Sequence, residues 1–232
     1  MADRHGVLMA GNICNTNVYE ANDAETHRSV RAMFDEQVRW AVEEADDLIA
    51  ETLDWAGEAE TALEAMKATG LPSVVTLSAH RNPETFDGVH VVDACRRLEA
   101  RGADVVGLNC HRGPVTLMPL IRAVREAVST HLAALPVPYR TSEAEPTFQS
   151  LTDHECACIP GDRPFPTALD PFTWQPLRVC VIRAGLRRTR RQRRRPVLRC
   201  ARHDPGHGRG PRAHAGGQPL FAGHVTPRIP RR

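Results

Sequence analysis

No apolar run in this 232-residue chain approaches the roughly 18 residues that cross a bilayer, and no signal-peptide pattern opens it. A membrane or secreted protein is therefore not expected, and a cytoplasmic one is. No GxGxxG and no GxxxxGK(S/T) follows an apolar run, so a nucleotide-binding fold lacks its usual signature. A disulfide framework is missing too: seven cysteines are few for this length and odd in number. In a cytoplasmic setting they point to metal binding, catalysis or plain burial. Lysine is absent from residues 177–232, and acid nearly so.

What is present divides in two. Residues 1–176 carry 14 Lys and Arg against 27 Asp and Glu, whereas residues 177–232 carry 16 Arg and the single acid Asp204. The net charge of +2 averages an acidic body and a basic tail. The division places a folded domain over 1–175 and a disordered Arg-rich tail over 176–232. At 41% hydrophobic, the chain has apolar side chains enough for a sizeable core.

Short, unalternating apolar runs recur through the body: Gly6–Ala10, Asp47–Thr52, Ser73–Ser78, Asp104–Cys110 and His131–Tyr139. Such runs suit strands buried on both faces of a parallel sheet. Helical periodicity separates them. Asn22 or Asp23 caps a first helix, whose apolar positions are Val30, Met33, Phe34, Val38, Ala41, Val42 and Ala45. Helices over 57–69, 89–101 and 116–129 follow, the first of these closed by Gly70 and Pro72 and the next by Gly102. The last four strands recur every 26 to 31 residues, the length of a βα unit. An open doubly wound sheet and a (β/α)8 barrel both fit. Without a phosphate-binding glycine motif the barrel is preferred. The fold class is α/β, an incomplete TIM barrel with about five of its eight units.

In such a barrel the active site forms at the carboxyl ends of the strands. There the sequence places Asn12, Cys14, Asn15 and Thr16, then Glu51 and Thr52, then Ser78 and His80, then Asn109, Cys110 and His111, and finally Tyr139. A thiolate at Cys110 can bind Zn2+, which in turn can hold a substrate thiol. One cysteine is not a zinc site, and a buried small hydrophobe is the alternative. Glu51, closing a buried strand, needs a ligand or an arginine partner. His80 and His111 read as loop residues or ligands, and Cys14 as packing. Cys156 and Cys158 form a CxC step with no second pair nearby, which reads as ordinary loop.

The stretches LMAGNICNT, DDLIAETLDWAGEAETALEAM, GADVVGLNCHRGP and PFPTALDPFTW, in that order, resemble successive pieces of the homocysteine S-methyltransferases, closest to the betaine–homocysteine branch. The resemblance covers about residues 6–174. It implies a (β/α)8 barrel with a catalytic zinc held by three cysteines. That zinc binds the homocysteine thiolate, which attacks the methyl group of a donor such as betaine and gives methionine. It further implies Cys110 as the first zinc cysteine and Glu51 as the carboxylate that holds the homocysteine amino group. Asn109 is expected beside them as a substrate-binding residue. The implied partners are homocysteine and a small methyl donor, and a homo-oligomer is a further expectation.

The pattern departs from the family at both ends. The first strand resembles the family's third. The Gly-Cys-Cys-Gly step of the eighth strand, source of the other two zinc cysteines, has no counterpart, and Cys180 and Cys200 stand alone. An Arg-rich tail without lysine is what a GC-rich coding strand gives when read out of frame. One base downstream, Val197–Cys200 is compatible with Cys-Cys-Gly-Ala, and residues 201–211 with an amphipathic helix. A frameshift near Trp174 is the expectation. Two other readings stay open: a catalytically inactive family member, and a basic arm for nucleic acid. Phe221, the tail's single aromatic, offers little on which bases can stack, so nucleic acid is not the expected partner.

Overall fold

The computed structural model describes residues 5–155 and 160–174. The Arg-rich tail with its expected disorder and frameshift, and Cys156, Cys158, Cys180 and Cys200, lie outside the described residues. Five parallel strands form one sheet in sequence order: β1 (Ala10–Cys14), β2 (Asp47–Leu53), β3 (Ser73–Ser78), β4 (Val105–Asn109) and β5 (His131–Leu135). Helices α1 (Ala24–Ala41), α2 (Ala56–Lys67), α3 (Val91–Ala100) and α4 (Pro114–Ala127) connect them. A doubly wound sheet would reverse its strand order at a switch point, and the described strands do not. Strands in strict sequence order, each crossover a helix, are consecutive units of a partial (β/α) barrel.

Alternation along the strands gives the sheet two unlike faces. Ile13, Leu48, Ala50, Val75, Leu77, Val106 and Leu108 belong to the core that the helices close. Val30, Phe34 and Val38 meet it from α1, at the i, i+4, i+8 spacing that keeps one helix face inward. Leu63 and Met66 of α2, Leu98 of α3 and Leu117 of α4 complete it. Apart from Ala50, each such side chain contributes about 1.5–3 kcal/mol by leaving water. The intervening strand residues, among them Asn12, Cys14, Glu51, Ser78 and Asn109, take the opposite face, which is polar toward the carboxyl ends.

Three of the helices lie within two residues of their expected limits, and Asp23 caps α1 by accepting from Glu25 N–H at 2.8 Å. Two strands differ. β1 starts where the apolar run 6–10 ends, because Val7 and Leu8 are exposed and the ladder opens with Ala10 opposite Asp47. β5 stops at Leu135, ahead of Pro136 and Pro138, which cannot donate to a ladder. No helix among the described residues is long and apolar enough to cross a membrane.

Candidate functional site

The site begins with an irregularity in β2. Ala50 pairs with Val75, but Leu53 pairs with Leu77, so β2 holds one residue more than β3 over that interval. Thr52 takes up the excess with a left-handed φ of 61°. Three side-chain hydrogen bonds hold it there. Asn109 accepts from Thr52 N–H at 3.0 Å and donates to the Thr52 hydroxyl at 2.7 Å, and Asn15 donates to the Thr52 carbonyl at 3.2 Å. The bulge changes the parity of the strand. Glu51 and Asp54 are three residues apart and would face opposite ways in a regular strand. With the extra residue, Leu53 returns to the core beside Leu48 and Ala50, and Asp54 joins Glu51 on the polar face.

Three neighbouring strands then each deliver one ionisable group just past their ends: Asp54 after β2, His80 after β3 and His111 after β4. Asp54 accepts from the Ser78 hydroxyl and lies 2.9 Å from His80 Nε2. Burial alone would raise the Asp54 carboxyl, but the His80 and Ser78 hydrogen bonds outweigh it and hold the group below the ordinary carboxylate range. The His80 ring stacks on Phe86 at 4.4 Å between centroids and lies 4.1 Å from the His111 ring. Burial, aided by His80 and Arg112, lowers His111 to about 4, so its imidazole is neutral at pH 7. His111 Nδ1 has no hydrogen-bond partner among the described residues.

Arg112 explains how two of these strand ends keep their spacing. Its guanidinium donates to the carbonyls of Ala79 and His80 at 3.0 Å and of Arg81 at 2.8 Å. The backbone that carries His80 is thereby tied to the residue after His111. Cys110 and His111 themselves have left-handed φ values of 55° and 43°. Consecutive residues of that kind are uncommon outside binding and catalytic sites.

The residues singled out by sequence are brought to this rim, though not all in the expected posture. Glu51 is half-buried, and its hydrogen bond from Asn12 is long at 3.5 Å. No cation pairs with it within 4 Å among the described residues. Cys110 is half-buried, and burial pushes its thiol up; the His111 N–H opposes this, while the Asp54 and Glu51 charges add to it. Asn109 is buried, with both halves of its amide committed to Thr52. Tyr139 packs on Phe148 and bridges to Thr173. Cys14, expected to pack, is exposed, because β1 is an edge strand and its polar face is uncovered.

The described cysteines do not build a three-thiolate zinc site. Cys14 and Cys110 are separated by β2 and β3, and Cys95 faces the core from α3 with its thiol pushed up to about 12 by burial. Sequence reasoning passes over Asp54 and Arg112. The available signal for Asp54 is a carboxylate directly behind a buried strand, and for Arg112 a charge in the turn before Gly113 and Pro114.

The sequence matches the homocysteine S-methyltransferase family over residues 1–157. Betaine–homocysteine S-methyltransferase 1 of Danio rerio is 31% identical over 172 residues, which cover 74% of this chain and 41% of that protein. The Sus scrofa protein of the same name is 31% identical over 150 residues, 62% of this chain and 52% of that one. S-methylmethionine–homocysteine S-methyltransferase BHMT2 of Pongo abelii is 29% identical over 149 residues, 62% of this chain and 40% of that one. The apo structure of the homocysteine methyltransferase MmuM from Escherichia coli aligns with a TM-score of 0.45 and 19% identity, over 57% of this chain and 49% of that one. The chain spans about half the length of the curated relatives it matches. A match that runs through all five strands and the rim they build places this chain in the homocysteine S-methyltransferase family.

Proposed function

We propose that the chain binds homocysteine at the β2–β4 rim and supports methyl transfer to its sulfur from a small onium donor. The observation that carries this reading is Glu51, a half-buried carboxylate with a single long hydrogen bond and no cation beside it among the described residues. A carboxylate so placed is stabilised by a bound ammonium group. The amino group of homocysteine supplies one, in the role that the family resemblance gives Glu51. Asn109 supports the site indirectly, by holding the bulge that brings Asp54 to the same face as Glu51.

In the reaction the homocysteine sulfur bonds to the methyl carbon as the donor's bond to that carbon breaks. The electron pair stays on the donor heteroatom, and the thiol proton leaves to water. The names of two relatives specify betaine and S-methylmethionine as donors. Both present the methyl group on a positively charged centre. A groove on the same rim, lined by Trp55, Phe86, Tyr19 and Glu20, suits such a cation by its ring faces and its charge. Betaine is the donor we favour, from the branch that the sequence most resembles. Zinc, the family's metal, would activate the homocysteine thiol here with Cys110 as one ligand; Cys14 and Cys95 do not join Cys110, and the other four cysteines lie outside the described residues.

The test is formation of methionine, read by mass spectrometry, from L-homocysteine with either donor. Methionine forms with the intact chain, and Glu51→Gln lowers the rate tenfold or more, equivalent to about 1.4 kcal/mol or more of lost transition-state stabilisation. No methionine with either donor overturns the proposal.

A further inference from the structure

Sequence and family both direct attention to thiols, but the best-formed ligand set at this rim contains none. One ligand atom each from Asp54, His80 and His111 lies within 4.8 Å of the other two. The three residues follow β2, β3 and β4, adjacent parallel strands, so the rigid sheet fixes their spacing. Asp54 and His80 are also held in place from outside the cluster. The Ser78 hydroxyl donates to Asp54, Phe86 stacks on His80, and Arg112 pins the backbone of His80 next to His111.

His111 supplies the independent sign of a ligand. It is 8% exposed, and its Nδ1 is buried without a partner among the described residues. A buried polar nitrogen without a hydrogen bond is uncommon, and an ion or water is a usual explanation. Water alone would satisfy Nδ1, but a carboxylate oxygen and a nitrogen of a second imidazole lie within 4.8 Å of one nitrogen of the same ring. Two imidazoles and one carboxylate are the donor set of three-ligand transition-metal sites, with a further position open to water or substrate. Metal–ligand bonds of ~2.0–2.1 Å draw the outer atoms together by up to ~1.5 Å from their present span.

We infer that Asp54, His80 and His111 form a binding site for one divalent transition-metal ion of the zinc type, separate from the thiols. The inference does not rest on the proposed methyl transfer, and its test needs neither homocysteine nor a donor. The probes are Zn2+ and Co2+, added to the full untagged chain. Co2+ titration is expected to give visible d–d bands that saturate at a single equivalent, without the near-ultraviolet charge-transfer band of a thiolate ligand. Cys110→Ser leaves those bands unchanged. Asp54→Asn and His80→Asn, each close in shape to the native residue, weaken binding tenfold or more while circular dichroism stays native.

The tail also carries histidines and cysteines, so the variants decide which residues hold the metal. X-ray absorption of the Zn2+-loaded native chain answers the same question without a substitution. It should show only nitrogen and oxygen neighbours near 2.0–2.1 Å, and no sulfur near ~2.3 Å. Absence of binding, sulfur in the shell, or undiminished binding in folded Asp54→Asn and His80→Asn each overturns the inference.

Discussion

Thr52 holds a β-branched side chain at a φ of 61°, which costs on the order of 1–3 kcal/mol and persists only where neighbours enforce it. Asn109 does most of the enforcing. Asn109→Ala removes two hydrogen bonds and strands the Thr52 N–H, and should lower stability by about 1–3 kcal/mol in urea unfolding. Asn109→Asp keeps the acceptor and should lose less; equal midpoints for Asn109→Ala and the native chain would contradict the clamp. The thiols give a second check. Iodoacetamide should label Cys14 first, Cys110 more slowly, and Cys95 only after unfolding, since burial places Cys95 in the core and raises its thiol to about 12. Peptide mass spectrometry reads the order, and fast labelling of Cys95 would contradict its burial. The place of Glu51 and Cys110 at the rim is legible in the sequence, because each closes a buried apolar run. Asp54 is not. Strand parity sets it on the wrong face, and nothing in the residues Glu51, Thr52, Leu53 and Asp54 announces the extra residue that reverses it.

Helix α2 begins at Ala56 after Trp55, whose side chain cannot cap it. Asp87, from the loop between β3 and α3, does so instead, accepting from the N–H groups of Ala56 and Gly57 at 2.9 Å each. The loop that carries Phe86 is thereby fastened to the element that follows the bulge. Asp87→Ala should cost roughly 1 kcal/mol, as the loss of an N-terminal cap does. Burial opposes ionisation of Asp87, but the Thr85 hydroxyl and the two helix N–H groups prevail and hold its carboxyl below the ordinary range. A carboxyl lowered on folding adds stability that is complete above its unfolded value of ~3.9 and is lost as pH falls through the folded value. The stability gap between the native chain and Asp87→Asn should therefore narrow below about pH 4, and a gap constant down to pH 2 would contradict the cap. Helix limits are legible because Gly70, Pro72 and Gly102 punctuate them. The start of β1 is not, because GVLMA is more apolar than the AGNIC that actually pairs. An edge strand with one covered face needs only Ile13 to be buried.

β1 and β5 are the edges of the described sheet, and unpaired edges template association. Val7 and Leu8 stand exposed just ahead of β1. Light scattering should show self-association that rises with concentration and falls in Leu8→Lys; a chain that stays monomeric throughout would contradict this account of the edges. Barrel winding is legible at this scale, because a repeat of one βα unit and the lack of a phosphate-binding motif suffice for it. The convergence of Asp54, His80 and His111 is not, because it depends on strand adjacency and on the bulge together. In the proposed binding mode Glu51, on the polar face at the end of β2, meets a substrate ammonium group. Calorimetric titration of the full chain with L-homocysteine tests it most directly. Saturable binding is expected, weakened tenfold or more by Glu51→Gln while the unfolding midpoint stays unchanged. Absence of binding, or equal affinity in a folded Glu51→Gln variant, would contradict it.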